Sequence, residues 1–87
     1  MKYSVQFEPE ALAVLENITP DIKKRIWNKI KWLTKNFDDI FHQSLSANLS
    51  NFYKLRIGDY RVIYELDTEE KIIYIIRIGH RRNIYDN

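Results

Sequence analysis

Apolar and polar positions alternate strictly at the start of the chain, with Tyr3, Val5 and Phe7 set against Lys2, Ser4 and Gln6. A period of two predicts a half-buried strand over 2–7. The rhythm changes at Glu8-Pro9-Glu10. Proline suits the first turn of a helix, and two acids there complement the helix dipole. Ala11, Leu12, Val14, Leu15 and Ile18 then make the apolar face of a short helix. Thr19-Pro20-Asp21 restarts the pattern, with Thr19 as N-cap and Pro20 as the first helical residue. Ile22, Ile26, Trp27, Ile30 and Leu33 recur at steps of three and four, which marks the buried stripe of a second helix running to about Lys35. Lys23, Lys24, Lys31 and Lys35 fall largely off that stripe. Trp27 and Trp32 are expected to be packing residues. The two helices form a hairpin with a very short connection.

Residues 36–51 read as a loop from Asp38, Asp39, Ser44, Ser46, Asn48, Ser50 and Asn51, with Ile40, Phe41, Leu45 and Leu49 packing parts of it down. From Phe52 onward the period is two again. Strands are expected over 52–57, 60–66 and 71–78. A Gly58-Asp59 turn joins the first two, residues 67–70 form the next turn, and Gly79 ends the last strand. The run Ile72-Ile73-Tyr74-Ile75-Ile76 is apolar on both faces, as expected for a sheet centre covered on both sides. The order β-α-α-β-β-β predicts an α+β fold, a mostly antiparallel twisted sheet with an N-terminal helical hairpin on one face. The other face is left partly open and needs either polar residues or a partner.

Composition narrows the class. A chain of 87 residues, 45% apolar and 30% charged, is expected to form one globular domain over 1–87. It contains no cysteine, so thiolate metal sites and disulfides are excluded and a reducing cytoplasm fits. His42 and His80 are far apart in sequence and give little support to a histidine metal site, so no metal or cofactor is expected. No apolar run approaches the ~18 residues of a membrane span, and the immediate strand-like alternation argues against a secretion signal. Net charge is only +2, and Lys/Arg and Asp/Glu divide evenly between the two parts of the chain. A basic site must therefore come from local arrangement.

The Tyr53–Tyr64 hairpin supplies that arrangement. If Gly58-Asp59 closes it, Ile57 faces Tyr60 and Arg56 faces Arg61. Like charges directly opposite each other are destabilising. Tyr53, Leu55, Ile57, Tyr60, Val62 and Tyr64 share one face; Lys54, Arg56 and Arg61 share the other. The last strand leads into Gly79-His80-Arg81-Arg82, which adds cations at the end of the sheet. Each of these residues alone is compatible with a solvated surface. Three on one face, two of them opposed, point to an anionic ligand. Arginine's planar fork matches a phosphate and stays charged at any physiological pH. During attack of an RNA 2′-hydroxyl on its neighbouring phosphate, negative charge grows on the phosphoryl oxygens, and preorganised cations stabilise that growth. No paired acidic cluster suited to Mg²⁺ occurs, which favours a metal-free mechanism. His80 has a side chain suited to general acid chemistry, and Tyr85 is either a packing anchor or part of the site. Lys23, Lys24 and Lys31 would add sequence-independent phosphate contacts.

The segment Tyr53-Lys-Leu-Arg-Ile-Gly-Asp-Tyr-Arg-Val-Ile-Tyr64, with Arg77-Ile-Gly-His-Arg-Arg82 and Ile84-Tyr85, resembles the RelE toxins of the RelE/ParE superfamily. The Phe7-Glu-Pro-Glu-Ala11 start and the helical hairpin are similar as well. The resemblance implies the toxin of a type II toxin–antitoxin pair, a ribosome-dependent mRNA endonuclease that cuts through the RNA's own 2′-hydroxyl without metal and so blocks translation. Its implied partners are a RelB-like antitoxin, the ribosome and mRNA, with no membrane. By the same resemblance, Lys54 and Arg56 bind the RNA backbone and serve proton transfer. Arg61 stabilises the developing phosphate charge, Arg81 contacts the scissile phosphate or leaving group, and Tyr85 orients the 2′-hydroxyl and stacks on a base. Arg56 stands where some members carry lysine, which shifts its role towards charge stabilisation. His80 and Arg82 join Lys23, Lys24 and Lys31 as RNA-binding candidates. Two alternatives share the fold: a ParE-like toxin that binds DNA gyrase, and a catalytically inactive homologue that binds antitoxin.

Overall fold

In the computed structural model, which describes residues 3–39, 43–44, 52–80 and 82, the sheet has a parallel pair at one edge. There β1 (Ser4–Phe7) lies beside β5 (Ile72–His80), and the sheet continues through β4 (Tyr60–Asp67) and β3 (Phe52–Ile57) to β2 (Gln43–Ser44), in the order β1-β5-β4-β3-β2. All other pairings are antiparallel. A parallel pair requires a crossover, and the rest of the chain provides it, beginning with α1 (Pro9–Asn17) and α2 (Pro20–Lys35). The expected α+β class and the helical hairpin on one face are both present.

Pro9 and Pro20 each open a helix, where a missing N–H leaves no bond unmade. Thr19 occupies the N-cap of α2, but its side chain makes no capping bond; its carbonyl accepts from the Lys23 amide at 2.9 Å. The helices cover one face of the sheet. Ala11 and Leu15 from α1 and Ile26, Ile30 and Leu33 from α2 meet Val62, Tyr64, Ile73, Ile75 and Ile78, all buried. Each such aliphatic side chain contributes about 1.5–3 kcal/mol through burial. Tyr53 stacks on Tyr64 at 5.7 Å within this layer. Burial, reinforced by Tyr53, holds the Tyr64 phenol well above its ordinary pKa.

The helical faces are narrower than their apolar spacing implies. Leu12 and Val14 are exposed, and Trp27 and Trp32 remain 41% and 38% exposed. A nine-residue helix such as α1 buries only the i, i+4 stripe of Ala11 and Leu15. Trp27 lies one position round from Ile26 and sits at the margin of the core, where it stacks on Phe7 at 5.8 Å.

Several element boundaries differ from the sequence pattern: β1 begins at Ser4, β4 runs on to Asp67, and β5 begins at Ile72 and runs on to His80. Gly79 does not end β5, because Arg61 and Tyr60 of β4 are available to pair with Gly79 and His80. The segment expected to be loop contains a 3-10 turn, Phe37–Asp39, and the two-residue strand β2. Phe37 is buried and stacks on Tyr3 at 3.9 Å, which anchors this segment to the start of β1. Ile40, Phe41, His42, Leu45 and Leu49 lie outside the described residues. The turn after β4 is closed by Asp67, whose Oδ1 accepts from the amides of Glu69 and Glu70 at 3.1 and 2.9 Å.

Among the described residues, β5 is covered by helices on one face only. Ile73, Ile75 and Ile78 are buried, while Ile72, Tyr74 and Ile76 are half-buried. An irregularity explains why the buried set breaks step. Tyr64 pairs with Ile75 and Ile63 pairs with Arg77, so Ile76 is an extra residue in a β-bulge. An unbroken register would have placed Arg77 opposite Val62, under the helices. The bulge puts Ile78 there and turns Arg77 to the uncovered face.

A candidate cationic site on the open face of the sheet

The site is built by the β3–β4 hairpin. Gly58 has φ 58°, and Asp59 has no positive φ, the pattern of a type II′ turn with glycine at its first central position. That turn fixes the register, with Ile57 opposite Tyr60, Arg56 opposite Arg61 and Lys54 opposite Ile63. Residues paired across a sheet share a face. The face away from the helices therefore carries two rows that cross three strands. One is Lys54–Ile63–Arg77 and the other is Arg56–Arg61–Gly79. Glu65 stands one row further on, between Phe52 and Tyr74.

Lys54, Arg56, Arg61 and Arg77 thus form one patch. Ile63 is 5% exposed although no helix covers it, flanked by Lys54 and Arg77 on the neighbouring strands. Long cationic side chains bury their stems along such surface and keep their charge in water. Lys54 and Arg61 are half-buried, whereas Arg56 and Arg77 are exposed. Partial burial, and then the charges of Arg61 and Arg56, hold the Lys54 ammonium below its ordinary pKa. The patch thus pairs permanently charged guanidinium groups with an amine that gives up its proton more readily than a free lysine. That combination is suited to an anion on which charge develops while a proton moves.

The other candidates lie elsewhere or outside the described residues. His80 pairs with Tyr60 on the helix-covered side, in edge-to-face contact at 5.5 Å, and borders a recess of about 240 Å³ with Ile22 and Arg25. Its Nδ1 accepts from the amide of Arg82 at 3.2 Å, which leaves the Arg82 side chain exposed just past the strand. Lys23 and Lys24 line an outer recess between the helices with Leu12 and Trp27, and the Lys31 ammonium lies 6.0 Å from the Trp27 ring. The structure does not bring these three lysines to the hairpin patch. Arg81 and Tyr85 lie outside the described residues. A recess of about 580 Å³ between α1 and the end of β5, lined by Glu10, Asn17, Arg77 and His80 among others, shares Arg77 with the patch and does not include Lys54, Arg56 or Arg61.

Arg77 is the member of the patch that the sequence pattern leaves unplaced. An unbroken apolar run from Ile72 to Ile76 conceals the bulge that decides its face. The signal for it is the run itself, which is too apolar to alternate through to Ile78.

A mixed sheet of this order, backed by a helical hairpin and bearing a cationic hairpin on its open face, is the architecture of a small bacterial or archaeal toxin fold. The family profile described as the ParE toxin of the type II toxin–antitoxin system parDE matches residues 5–85, and the chain belongs to that family, within the RelE/ParE superfamily. A curated relative, Toxin RelG of Mycobacterium tuberculosis, is 28% identical over 91 residues, covering 98% of this chain and 98% of the relative. Among solved structures, the toxin–antitoxin complex RelBE2 from Mycobacterium tuberculosis matches with TM-score 0.79 and 26% identity, over 93% of this chain and 100% of that one. The isolated E. coli RelE toxin matches in fold, with TM-score 0.76 at 16% identity, over 90% of this chain and 83% of that one.

Proposed function

We propose that this toxin is a ribosome-dependent mRNA endonuclease that inhibits translation, held in check by a RelB-like antitoxin. The observation that carries the reading is the opposition of Arg56 and Arg61, with Lys54 beside them, on the uncovered face. Facing like charges lower stability, and a scissile phosphate is a counter-charge that would offset that cost. An open sheet face also suits a polymer better than an enclosed cavity would.

In this mechanism the ribose 2′-oxygen attacks the adjacent phosphorus and the bond from phosphorus to the 5′-oxygen breaks. A proton leaves the 2′-hydroxyl and another reaches the departing 5′-oxygen, giving a 2′,3′-cyclic phosphate and a 5′-hydroxyl. Arg61 and Arg56 stabilise the charge that grows on the phosphoryl oxygens. Lys54, with its lowered pKa, is the proton-transfer group of the hairpin. Arg81 and Tyr85 complete the site by the roles their resemblance implies, at the leaving group and at the 2′-hydroxyl. The chemistry calls for no metal. Relatives solved as toxin–antitoxin complexes support an antitoxin partner, and the cytoplasm is where the ribosome and mRNA would be met.

The ParE description of the family supports a second reading, in which the chain binds DNA gyrase. Mapping transcript ends after induction separates the two. Cuts inside translated codons, lost when translation of that transcript is blocked, are the result expected here. DNA damage with intact transcripts would replace this reading with the second.

A further inference from the structure

The cations of α2 fall on two flanks. Lys23, Lys24 and Lys31 accompany Trp27 towards α1, whereas Arg25, Lys29 and Trp32, at i, i+4 and i+7, face the hairpin turn. That second flank and the turn enclose a groove of about 480 Å³, bordered by Arg25, Lys29, Trp32, Arg56 and Gly58. Three of the seven lining residues, Arg25, Lys29 and Arg56, are cationic, and none of the seven is a carboxylate. Asp59, the second residue of the turn, borders the adjoining recess beside Arg25. The Lys29 ammonium sits 4.0 Å above the Trp32 ring, which is 38% exposed. A side chain at Gly58 would bring its Cβ to 3.2 Å from an Arg25 guanidinium nitrogen, so glycine lets that guanidinium lie directly against the turn.

We infer that this groove is a second nucleotide subsite, which stacks a base of single-stranded RNA on Trp32 and holds its phosphate between Arg25 and Lys29. An indole offers a π-face that any base accepts, and cations beside it track the backbone, the combination by which proteins hold single strands without reading sequence. Arg56 belongs both to this groove and to the cationic face. A strand crossing Arg61 and Arg56 is thereby led round the end of the hairpin to Trp32, and the subsite takes a nucleotide flanking the scissile one. The inference rests on the proposed function for the identity of the strand, and its test does not use cleavage.

The chain has two tryptophans, so Trp27→Phe leaves Trp32 as the sole indole. The full chain carrying that change is titrated with a 2′-O-methylated oligoribonucleotide, which cannot be cut, while indole fluorescence is followed. Saturable quenching is expected. Trp32→Leu, which lacks the reporter indole, should bind a fluorescein-labelled form of the same oligonucleotide roughly 5- to 160-fold more weakly by anisotropy. Arg25→Ala with Lys29→Ala should lower the slope of log affinity against log salt by about 0.7, the value for one single-strand phosphate. Absence of quenching, or an unchanged salt slope in a double variant that retains its fold by circular dichroism, overturns the subsite. Equal quenching by inorganic polyphosphate, which has charge and no bases, overturns the stacking role. Quenching by an acidic peptide and not by RNA overturns the subsite by assigning the groove to a protein partner. If quenching and the slope change are found while transcripts stay uncut in cells, the groove stands and the endonuclease reading falls.

Discussion

The two faces of this sheet are made by the same strands and obey opposite rules. On the covered face Val62, Tyr64, Ile73 and Ile75 lie under the helices with at most 1% exposure. On the open face, one residue along each strand, Lys54, Arg56, Arg61 and Arg77 gather like charges, with Glu65 a row away. The covered face contributes stability that the open face partly offsets. Alternation ties the two together, since any change of register exchanges them. A residue that serves one face therefore has a predictable effect on the other.

Ile78→Arg is expected to have the largest effect on the covered face. The bulge seats Ile78, and not Arg77, opposite Val62, among apolar side chains. Burying an unpaired charge there is expected to cost ~4 kcal/mol or more, a large part of a small domain's stability. Urea denaturation followed by circular dichroism measures it, and an Ile78→Arg variant of undiminished stability would refute the register that the bulge sets.

Gly58→Ala acts at the hinge between the faces. A left-handed φ costs a non-glycine residue about 1–2 kcal/mol, and at φ 58° the added methyl also presses on Arg25. A loss of that size in denaturant titration is expected, with weaker RNA binding through the displaced guanidinium.

Arg56→Thr should move the two faces in opposite directions. It removes a like-charge cross-strand pair, so stability should rise by about 0.2–1 kcal/mol. For a domain of this size, 1 kcal/mol corresponds to a Tm shift of about 4–8 °C. Cleavage should fall in the same protein. A fall in both quantities would mean that Arg56 supports the fold and that its opposition to Arg61 carries no cost.

The smallest effect expected is on pH dependence. Partial burial and the neighbouring arginines place Lys54 below its ordinary 10.5 in the folded chain. Between that lowered value and 10.5 the unfolded chain binds more protons than the folded one, so Lys54 makes stability rise with pH across that window. Lys54→Met removes this contribution, and comparing urea midpoints over the alkaline range would detect the flattening.

Much of this architecture is legible in the sequence because each element carries a local rule. Prolines mark both helix starts, and Gly58-Asp59 fixes a register in which the Arg56–Arg61 opposition follows by counting. What escapes is set by tertiary context. Trp27 satisfies the helical period, yet a narrow helix–sheet contact leaves it at the margin on Phe7. The strand over Gln43–Ser44 is too short to show a period. The bulge at Ile76 is hidden because five apolar residues in a row are compatible with either register. His80 reads as a continuation of the basic tail, although its pairing with Tyr60 turns it to the helical side. The resemblance to RelE toxins, by contrast, is carried by the hairpin itself, the part of the chain with the strictest local grammar.

We propose that the open face is kept cationic for chemistry, and Arg61→Ala tests this claim when transcript cleavage and thermal stability are measured on the same variant. Loss of one preorganised charge-stabilising group typically lowers rate by about 10²–10³-fold. The expected result is cleavage reduced by that factor with the Tm kept or raised. A variant that still cuts transcripts and arrests growth as the parent does would contradict the claim.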